Sequence, residues 1–507
     1  MTTLDPSAAQ VRKPTPKRPA GGNGLKERAG LIAICALCAL YYSAFDIRTT
    51  PIFDDTRYYL YFSARVAQGD VPYRDFFEVK TPLSFLLGGW LHRIAGSVGA
   101  EPVLVLRAAF LAIGALTAVA MFVVQRRLAK GNFLAGFVGV TVLAALPVLG
   151  LLLSVGVLPK ALMALFSLLS ALAVAQRHWF AAGACGAFAF LDWQVGGLVI
   201  FAAALAGVTE AANRARSVAR VFAGAGVVLG LVVSWFAAHD GLKQFFGQTL
   251  GVLFDRSVRA VGRTWLSRPN RIAEVFQSAV PDGAWLPPLA AVGLLLFVVR
   301  VWRDRRDGLG FLTALGTYHF GLMAFSLLDF QYYDDLFILL YSFAFFAGIA
   351  VSDVCRLVLR RLSGRANTAA SAAICALLLL GVWRNATSRS PLLKEPTVTP
   401  ETRLSDQIQV AERVMTFAAG RRVAFLGAAE IPLLANVRSV APIVYWNTVA
   451  YSYYGRRDEL YLETRGRIMQ TSGAELLVGD RTLPPEPGDH IIGSDNGAYW
   501  VVVRKPF

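Results

Sequence analysis

The chain has 507 residues, of which 55% are hydrophobic and 17% are charged, and its formal net charge is +16. A soluble domain is about 25% charged on average, and it has too little interior to hide so many apolar side chains. The apolar residues also lie in long runs, such as 103–125, 132–153 and 219–238. Because a hydrocarbon core needs about 20 apolar residues of helix, the composition excludes an ordinary soluble protein and predicts a polytopic membrane protein.

The N-terminal tail, residues 1–28, is basic and rich in proline and glycine. That composition predicts a disordered segment, and its positive charge places it in the cytoplasm. The basic stretch is too long for the start of a signal peptide, so we expect 30–46 to be a retained first span. The other basic clusters lie at the ends of apolar runs, where they indicate membrane orientation rather than binding to nucleic acid.

The membrane module, 29–384, is predicted to hold about eleven spans. Two apolar segments cannot be counted as single membrane spans if the basic loops are to face the cytoplasm. Residues 83–98 are short and carry polar side chains, so we interpret them as a re-entrant or surface helix at the outer face. Residues 179–208 are too long for one span, and we expect two short helices with a turn at Leu191–Gln194. The predicted spans are 30–46, 103–125, 132–153, 159–176, 179–191, 194–208, 219–238, 285–300, 309–328, 336–352 and 368–384.

This topology places the N-terminus inside and the C-terminus outside. The main outer stretches are 47–101, 239–284, 329–335 and 385–507. The last of them is polar enough to be soluble, with a helical pattern over 402–419 and three short strands. The strands are predicted at Arg422–Gly427, Glu475–Asp480 and Tyr499–Arg504. The fold class is therefore an all-α polytopic membrane protein with a small extracytoplasmic α/β domain at 385–507.

The first outer loop is rich in charged and aromatic residues. Asp54 and Asp55 open a pattern of helical spacing, which predicts a juxtamembrane helix over 54–67 that ends near Gly69. Two acids at the start of a helix can cap its N-terminus. Alternatively, one of the carboxylates acts as a general base near the bilayer surface. The two interpretations are compatible, because a cap holds a carboxylate in place.

Three motifs of this loop carry a resemblance to a known family. The sequence reads D-D-x-R-Y from Asp54, G-D-x-P-Y-R-D-F-F-E from Gly69, and then Lys80-Thr81-Pro82-Leu83. This order resembles the first outer loop of the GT-C superfamily of glycosyltransferases. The most similar branch holds protein O-mannosyltransferases, lipid A aminoarabinose transferases and rhizobial galacturonosyltransferases. There the last motif is Lys-Pro-Pro-Leu, so Thr81 replaces one proline. The resemblance implies a GT-C-like fold from about 30 to 507 and an enzyme that uses lipid-linked sugars.

The resemblance also implies roles for individual residues. Asp54 aligns with the first acid of the family pair and is the expected general base, with Asp55 beside it. The family often carries another acid near 154–160, which this chain lacks, and Asp192 is a candidate replacement at the outer face. The short outer loop 329–335 resembles a loop of the family as well. The residues expected to line the substrate site are Tyr58, Glu78, Asp192, Tyr333 and Asp334.

A departing lipid phosphate needs cations to stabilise its charge. We expect Lys80 and Arg57 to supply them, together with arginines of the outer loop 239–284, for which binding to lipid headgroups is the alternative. These arginines are Arg256, Arg259, Arg263, Arg268 and Arg271. The histidines are dispersed and no residue is assigned to a metal, although the resemblance leaves room for a divalent ion. The cysteines indicate no disulfide framework.

The sequence thus predicts an enzyme of the bacterial inner membrane. It would move a sugar from a polyprenyl-phosphate donor to an extracytoplasmic acceptor, which could be lipid A or its core, a polysaccharide or a protein. The resemblance implies inversion at the anomeric carbon. A transporter or flippase for lipid-linked saccharides is the alternative, although it would need ionisable groups near the bilayer midplane. A non-catalytic envelope scaffold is a third hypothesis.

Overall fold

The structure is a computed structural model that describes residues 23–53, 55–210, 213–251, 268–280, 283–303, 309–329, 333–387, 403–441, 472–480 and 499–503. Three of the expected site residues, Arg256, Arg259 and Arg263, lie outside this part of the chain, as does Asp54. The side chains of Tyr333 and Asp334 are likewise outside the described set.

The chain is mostly helical. The helices up to residue 246 are α1 Asn23–Ser43, α2 Thr56–Ala67, α3 Leu83–Ser97, α4 Pro102–Leu128, α5 Phe133–Ala144, α6 Pro147–Val155, α7 Pro159–Ala175, α8 Trp179–Asp192, α9 Gly197–Glu210, α10 Arg214–Ala238 and α11 Leu242–Phe246. They continue as α12 Arg268–Ala279, α13 Leu286–Arg303, α14 Leu309–Asp329, α15 Tyr333–Leu359, α16 Gly364–Thr387, α17 Leu404–Phe417 and α18 Glu430–Leu434. The strands are β1 Val423–Leu426, β2 Leu476–Asp480 and β3 Tyr499–Val503.

Every segment predicted to span the membrane is mostly helical in the structure, although α1 already ends at Ser43 and 132–153 is divided between α5 and α6. By length and composition, four helices of the described part could cross a membrane: Pro102–Leu128, Arg214–Ala238, Gly283–Arg303 and Asp335–Leu359. The pair α5 and α6 would add a fifth as one broken span, bent by 62°. The count of eleven spans therefore stays a prediction, since several of the other apolar helices are short.

The predicted break within 179–208 is confirmed. Helix α8 ends at Asp192, and Trp193 has extended backbone angles (φ −154°, ψ 137°) before the chain turns into α9. Another interruption lies between α6 and α7, where Gly156 has φ +138°. That backbone region favours glycine, and Leu60 of α2 packs against the same point. Both interruptions bring irregular backbone towards α2 and α3.

The C-terminal strands form one sheet in the order β1-β2-β3. Strands β1 and β2 are parallel, with Val423 opposite Leu476, whereas β2 and β3 are antiparallel, with Val478 opposite Val501. Each predicted strand coincides with an observed one, and the predicted helix over 402–419 coincides with α17. The status of 385–507 as an independent domain stays a prediction.

Candidate active site

Helix α2 begins immediately after the acidic pair. Asp55 occupies the N-cap position, but its side chain makes no capping hydrogen bond to the first turn of the helix. Asp54 precedes it outside the described residues, and the role of either acid as a base stays a prediction. Nearly all of α2 is buried, from Thr56 to Arg65. The acidic pair therefore directly precedes a helix that is packed against other parts of the protein along most of its length.

The turn that carries Lys80 is fixed by hydrogen bonds around Glu78. The Glu78 carboxylate oxygen Oε1 accepts from the backbone N–H groups of Val79 and Lys80, each at 2.8 Å. The Glu78 N–H donates to Gln248 Oε1 at 3.1 Å. The Tyr73 hydroxyl donates to the Lys80 carbonyl at 2.7 Å. Both the N–H and the carbonyl group of Lys80 are thus hydrogen-bonded, which fixes the backbone from which its side chain projects.

The Glu78 carboxyl group is almost completely buried, at 4% exposure. Burial raises the pKa of Glu78 to about 7, against the lowering effect of the Lys80 N–H and ammonium. The negative charge of Asp55 raises this pKa further. Glu78 therefore interacts electrostatically with both Lys80 and Asp55.

Two lysines meet at one indole ring. The Nζ atoms of Lys80 and Lys160 lie 5.2 and 5.1 Å from the centroid of the Trp193 ring, within the range of cation–π attraction. Lys160 Nζ is also 2.8 Å from Asp335 Oδ1, and the lysine is 4% exposed. The structure thereby joins four separate segments: the first outer loop, α7, the break after α8, and α15.

Lys160 and Trp193 were missed at the sequence level. Lys160 lies at the start of α7, in the stretch that lacks the family's additional acid. A lysine at the edge of an apolar run was the available signal, because such residues in membrane segments are often functional. Asp335, at the end of the predicted outer loop 329–335, was not among the expected site residues.

Asp192 lies beneath this cluster and is fully buried. One carboxylate oxygen accepts from the Ser84 hydroxyl, and the other accepts from the Met163 N–H at 2.8 Å. Asp192 thus links the end of α8 to the first turns of α3 and α7. The next polar residue, Gln194, donates to the Val79 carbonyl, directly before Lys80. In this arrangement Asp192 supports the backbone around the lysines, and its direct contact with substrate stays a prediction.

Arg57 and Tyr58 lie at the other end of the site. The Arg57 guanidinium carbon is 4.9 Å from the centroid of the Tyr58 ring. The Tyr58 hydroxyl donates to the Gly427 carbonyl at 3.2 Å, directly after β1. Tyr58 therefore contacts the C-terminal segment, and the roles of both residues towards substrate stay predictions.

The C-terminal segment docks on the first outer loop through buried polar contacts. The Ser439 N–H donates to the Tyr61 hydroxyl at 2.8 Å. Asp70 forms ion pairs with both Arg65 and Arg438. Asp70 and Arg65 are 5% and 2% exposed, whereas the side chain of Arg438 is 55% exposed, so only the pair of Asp70 with Arg65 is buried.

Clustered metal-ligating side chains are a separate feature from the lysine pair. Within the described ranges, no three or more histidine, cysteine, aspartate or glutamate side chains lie close enough to hold an ion.

No protein family model and no curated protein sequence matches the chain. Solved structures do match it. The crystal structure of ArnT from Cupriavidus metallidurans bound to undecaprenyl phosphate covers 94% of this chain and 98% of its own, with a TM-score of 0.58 at 12% identity. The apo state of that protein covers 95% and 98%, with a TM-score of 0.56 at 14% identity.

A third match, the S. cerevisiae protein O-mannosyltransferase Pmt1-Pmt2 complex bound to the sugar donor, covers 43% of this chain and 34% of its own at 16% identity. Its TM-score of 0.34 is too low to indicate a shared fold. The two ArnT structures show that the chain has the fold of ArnT over nearly its whole length. This confirms the GT-C-like fold that the first-loop motifs implied.

Proposed function

We propose that the chain is an integral-membrane glycosyltransferase that moves a sugar from a polyprenyl-phosphate donor to an acceptor outside the bacterial cytoplasmic membrane. One observation carries the proposal: Lys80 and Lys160 share Trp193 next to the turn of Glu78, on a fold that in ArnT binds undecaprenyl phosphate. The apolar helices supply the membrane anchorage, and the N-terminus is proposed to lie in the cytoplasm with residues 385–507 outside.

The two lysines are proposed to stabilise the leaving phosphate. When the bond between sugar and phosphate breaks, negative charge grows on the phosphate oxygens, and fixed cations in a water-poor site stabilise that charge strongly. The Lys80 backbone is held by Glu78 and Tyr73, and Lys160 by its ion pair with Asp335. Both ammonium groups are therefore organised before the donor arrives. Arg57 and the arginines at 256, 259 and 263 are proposed as further contacts to phosphate or lipid headgroup.

The proposed general base is Asp54, with Asp55 beside it. The base removes the proton of the acceptor hydroxyl as its oxygen attacks the anomeric carbon, and the lipid phosphate leaves from the opposite side. A single displacement of this kind inverts the anomeric centre. Base catalysis is worth about 10²–10⁴ in rate. The acceptor classes compatible with a site at the outer face are lipid A or its core, a polysaccharide, and a protein hydroxyl.

The proposal is tested by mass spectrometry of envelope lipids and glycans from cells with and without the protein. We expect one sugar to be missing when the protein is absent, which identifies donor and acceptor together. Cells carrying only Asp54→Asn should lack the same sugar while keeping a folded protein in the membrane. The matched control is Asp75→Asn in the same loop, where the acid forms a part-exposed pair with Arg74.

Full transfer by Asp54→Asn would contradict the base assignment. Translocation of a lipid-linked saccharide by purified protein, with no glycosidic product, would replace the transferase with a flippase. An unchanged envelope, with no translocation either, would leave the scaffold hypothesis.

A further inference from the structure

The loop that leads to the acidic pair has little regular structure of its own. Between α1 and α2, residues 44–53 form turns and extended backbone. Ile52 and Phe53 are nevertheless 1% and 3% exposed, so this backbone is buried. Buried N–H and C=O groups need hydrogen-bond partners, and the partner of Ile52 identifies what holds the loop.

That partner is the side chain of Gln407 in α17. The Ile52 N–H donates to Gln407 Oε1 at 2.7 Å, and Gln407 Nε2 donates to the Ile52 carbonyl at 2.7 Å. One amide therefore satisfies both backbone groups of one residue, as a neighbouring strand would. Gln407 is 2% exposed, so water does not compete for these bonds. We call this pair of hydrogen bonds the Gln407 clamp.

Further bonds tie the loop on both sides of the acidic pair. The Leu404 N–H, at the start of the same helix, donates to the Thr49 carbonyl at 3.1 Å. After the pair, the Tyr58 hydroxyl donates to the Gly427 carbonyl. The C-terminal segment thus contacts the chain before Asp54 and again after Asp55.

We propose that Gln407 is a positioning residue for the acidic pair, Asp54 and Asp55. The clamp fixes the backbone of Ile52, two residues before Asp54, and α2 fixes the backbone that follows Asp55. A general base must lie within hydrogen-bond reach of the proton that it removes. The C-terminal segment is on this view a working part of the active site, and the inference rests on the proposed transferase function.

The test compares Gln407→Met with the unaltered full-length protein in detergent. Methionine fills similar space but can neither accept from the Ile52 N–H nor donate to its carbonyl. Loss of a net hydrogen bond should speed hydrogen exchange at the Ile52 amide about two- to tenfold. We expect kcat for transfer to fall about 10- to 100-fold, because a small displacement of a catalytic group has that effect. Binding of undecaprenyl phosphate, used as the probe, should stay unchanged.

The matched control is Thr416→Val in the same helix, where the exposed hydroxyl donates to the Glu412 carbonyl of α17 itself. It should change none of the three measurements. Wild-type kcat in Gln407→Met would overturn the inference. Faster exchange throughout β1 together with lost phosphate binding would also overturn it, because the residue would then be merely structural. If the unaltered protein transfers no sugar, the proposed function and the positioning role fail together, while exchange at Ile52 still shows whether the clamp exists.

Discussion

Lys160 and Asp335 form a buried ion pair that joins the start of α7 to the start of α15, with Nζ 2.8 Å from Oδ1. Residues so distant in sequence meet because the bundle brings the N-terminal ends of both helices towards Trp193. A buried lysine beside one carboxylate and one aromatic ring is held in a fixed position. The pair is therefore both a structural element and, as proposed, half of the phosphate site.

Comparing the loss of Lys160 alone with the loss of both members of the pair separates its role in stability from its proposed role in phosphate binding. Lys160→Met takes the ammonium away from Asp335 and should destabilise the protein by about 3–5 kcal/mol. The double variant Lys160→Met, Asp335→Leu should regain most of that stability, because it buries neither charge. Binding of undecaprenyl phosphate should stay weak in both variants. Thermal unfolding and lipid binding measured on the same samples check this, and normal binding by the double variant would remove Lys160 from the phosphate site.

Lys80 is expected to contribute directly to lipid phosphate binding. Lys80→Met should weaken binding of undecaprenyl phosphate about 10- to 100-fold, because a hydrogen bond to a charged group is worth about 1.5–3 kcal/mol. Lys243→Met is the control, since it removes one positive charge from an exposed position of helix α11. Equal losses in the two variants would indicate general attraction to an anion rather than a site at Lys80.

Glu78 should make stability depend on pH. Burial raises the pKa of this carboxyl from 4.5 to about 7, so between these values the folded protein holds a proton that the unfolded chain has lost. The free energy of unfolding should therefore fall as the pH rises through this window, by on the order of 3 kcal/mol. In Glu78→Gln, which keeps the oxygen that accepts from Val79 and Lys80, this component should disappear. Parallel curves of thermal midpoint against pH for the two proteins would contradict the prediction.

The buried ion pair of Asp70 with Arg65 should stabilise the part of the first outer loop on which the C-terminal segment docks. Asp70→Asn leaves the buried guanidinium of Arg65 without its carboxylate and should cost about 3–5 kcal/mol. Arg74→Ala, which breaks an exposed pair with Asp75 in the same loop, should cost about 1 kcal/mol or less. Limited proteolysis of the C-terminal segment and thermal unfolding measure the difference. Equal effects would show that burial of the Asp70 network contributes nothing.

Much of the architecture follows from local patterns of the sequence. Long apolar runs predict helices wherever they occur, and a turn between Leu191 and Gln194 followed from the length of its run. The three C-terminal strands were predicted from their residue pattern, and the start of α2 from its acidic pair. The family motifs of the first outer loop further predicted the ArnT-like fold and named Lys80. These features depend on neighbours in the chain, which is why the sequence reveals them.

Only the tertiary structure decided which distant residues meet. Nothing near Lys160 in sequence indicates Asp335 or Trp193, and nothing near Ile52 indicates Gln407. Such contacts depend on how the helices pack and where the C-terminal segment docks. The local spacing of apolar and polar residues does not determine either. The sequence by itself determined a charged outer loop on an apolar helical bundle. Packing decided that its lysine would share an indole with a second lysine, and that an amide from α17 would hold the backbone before the acids.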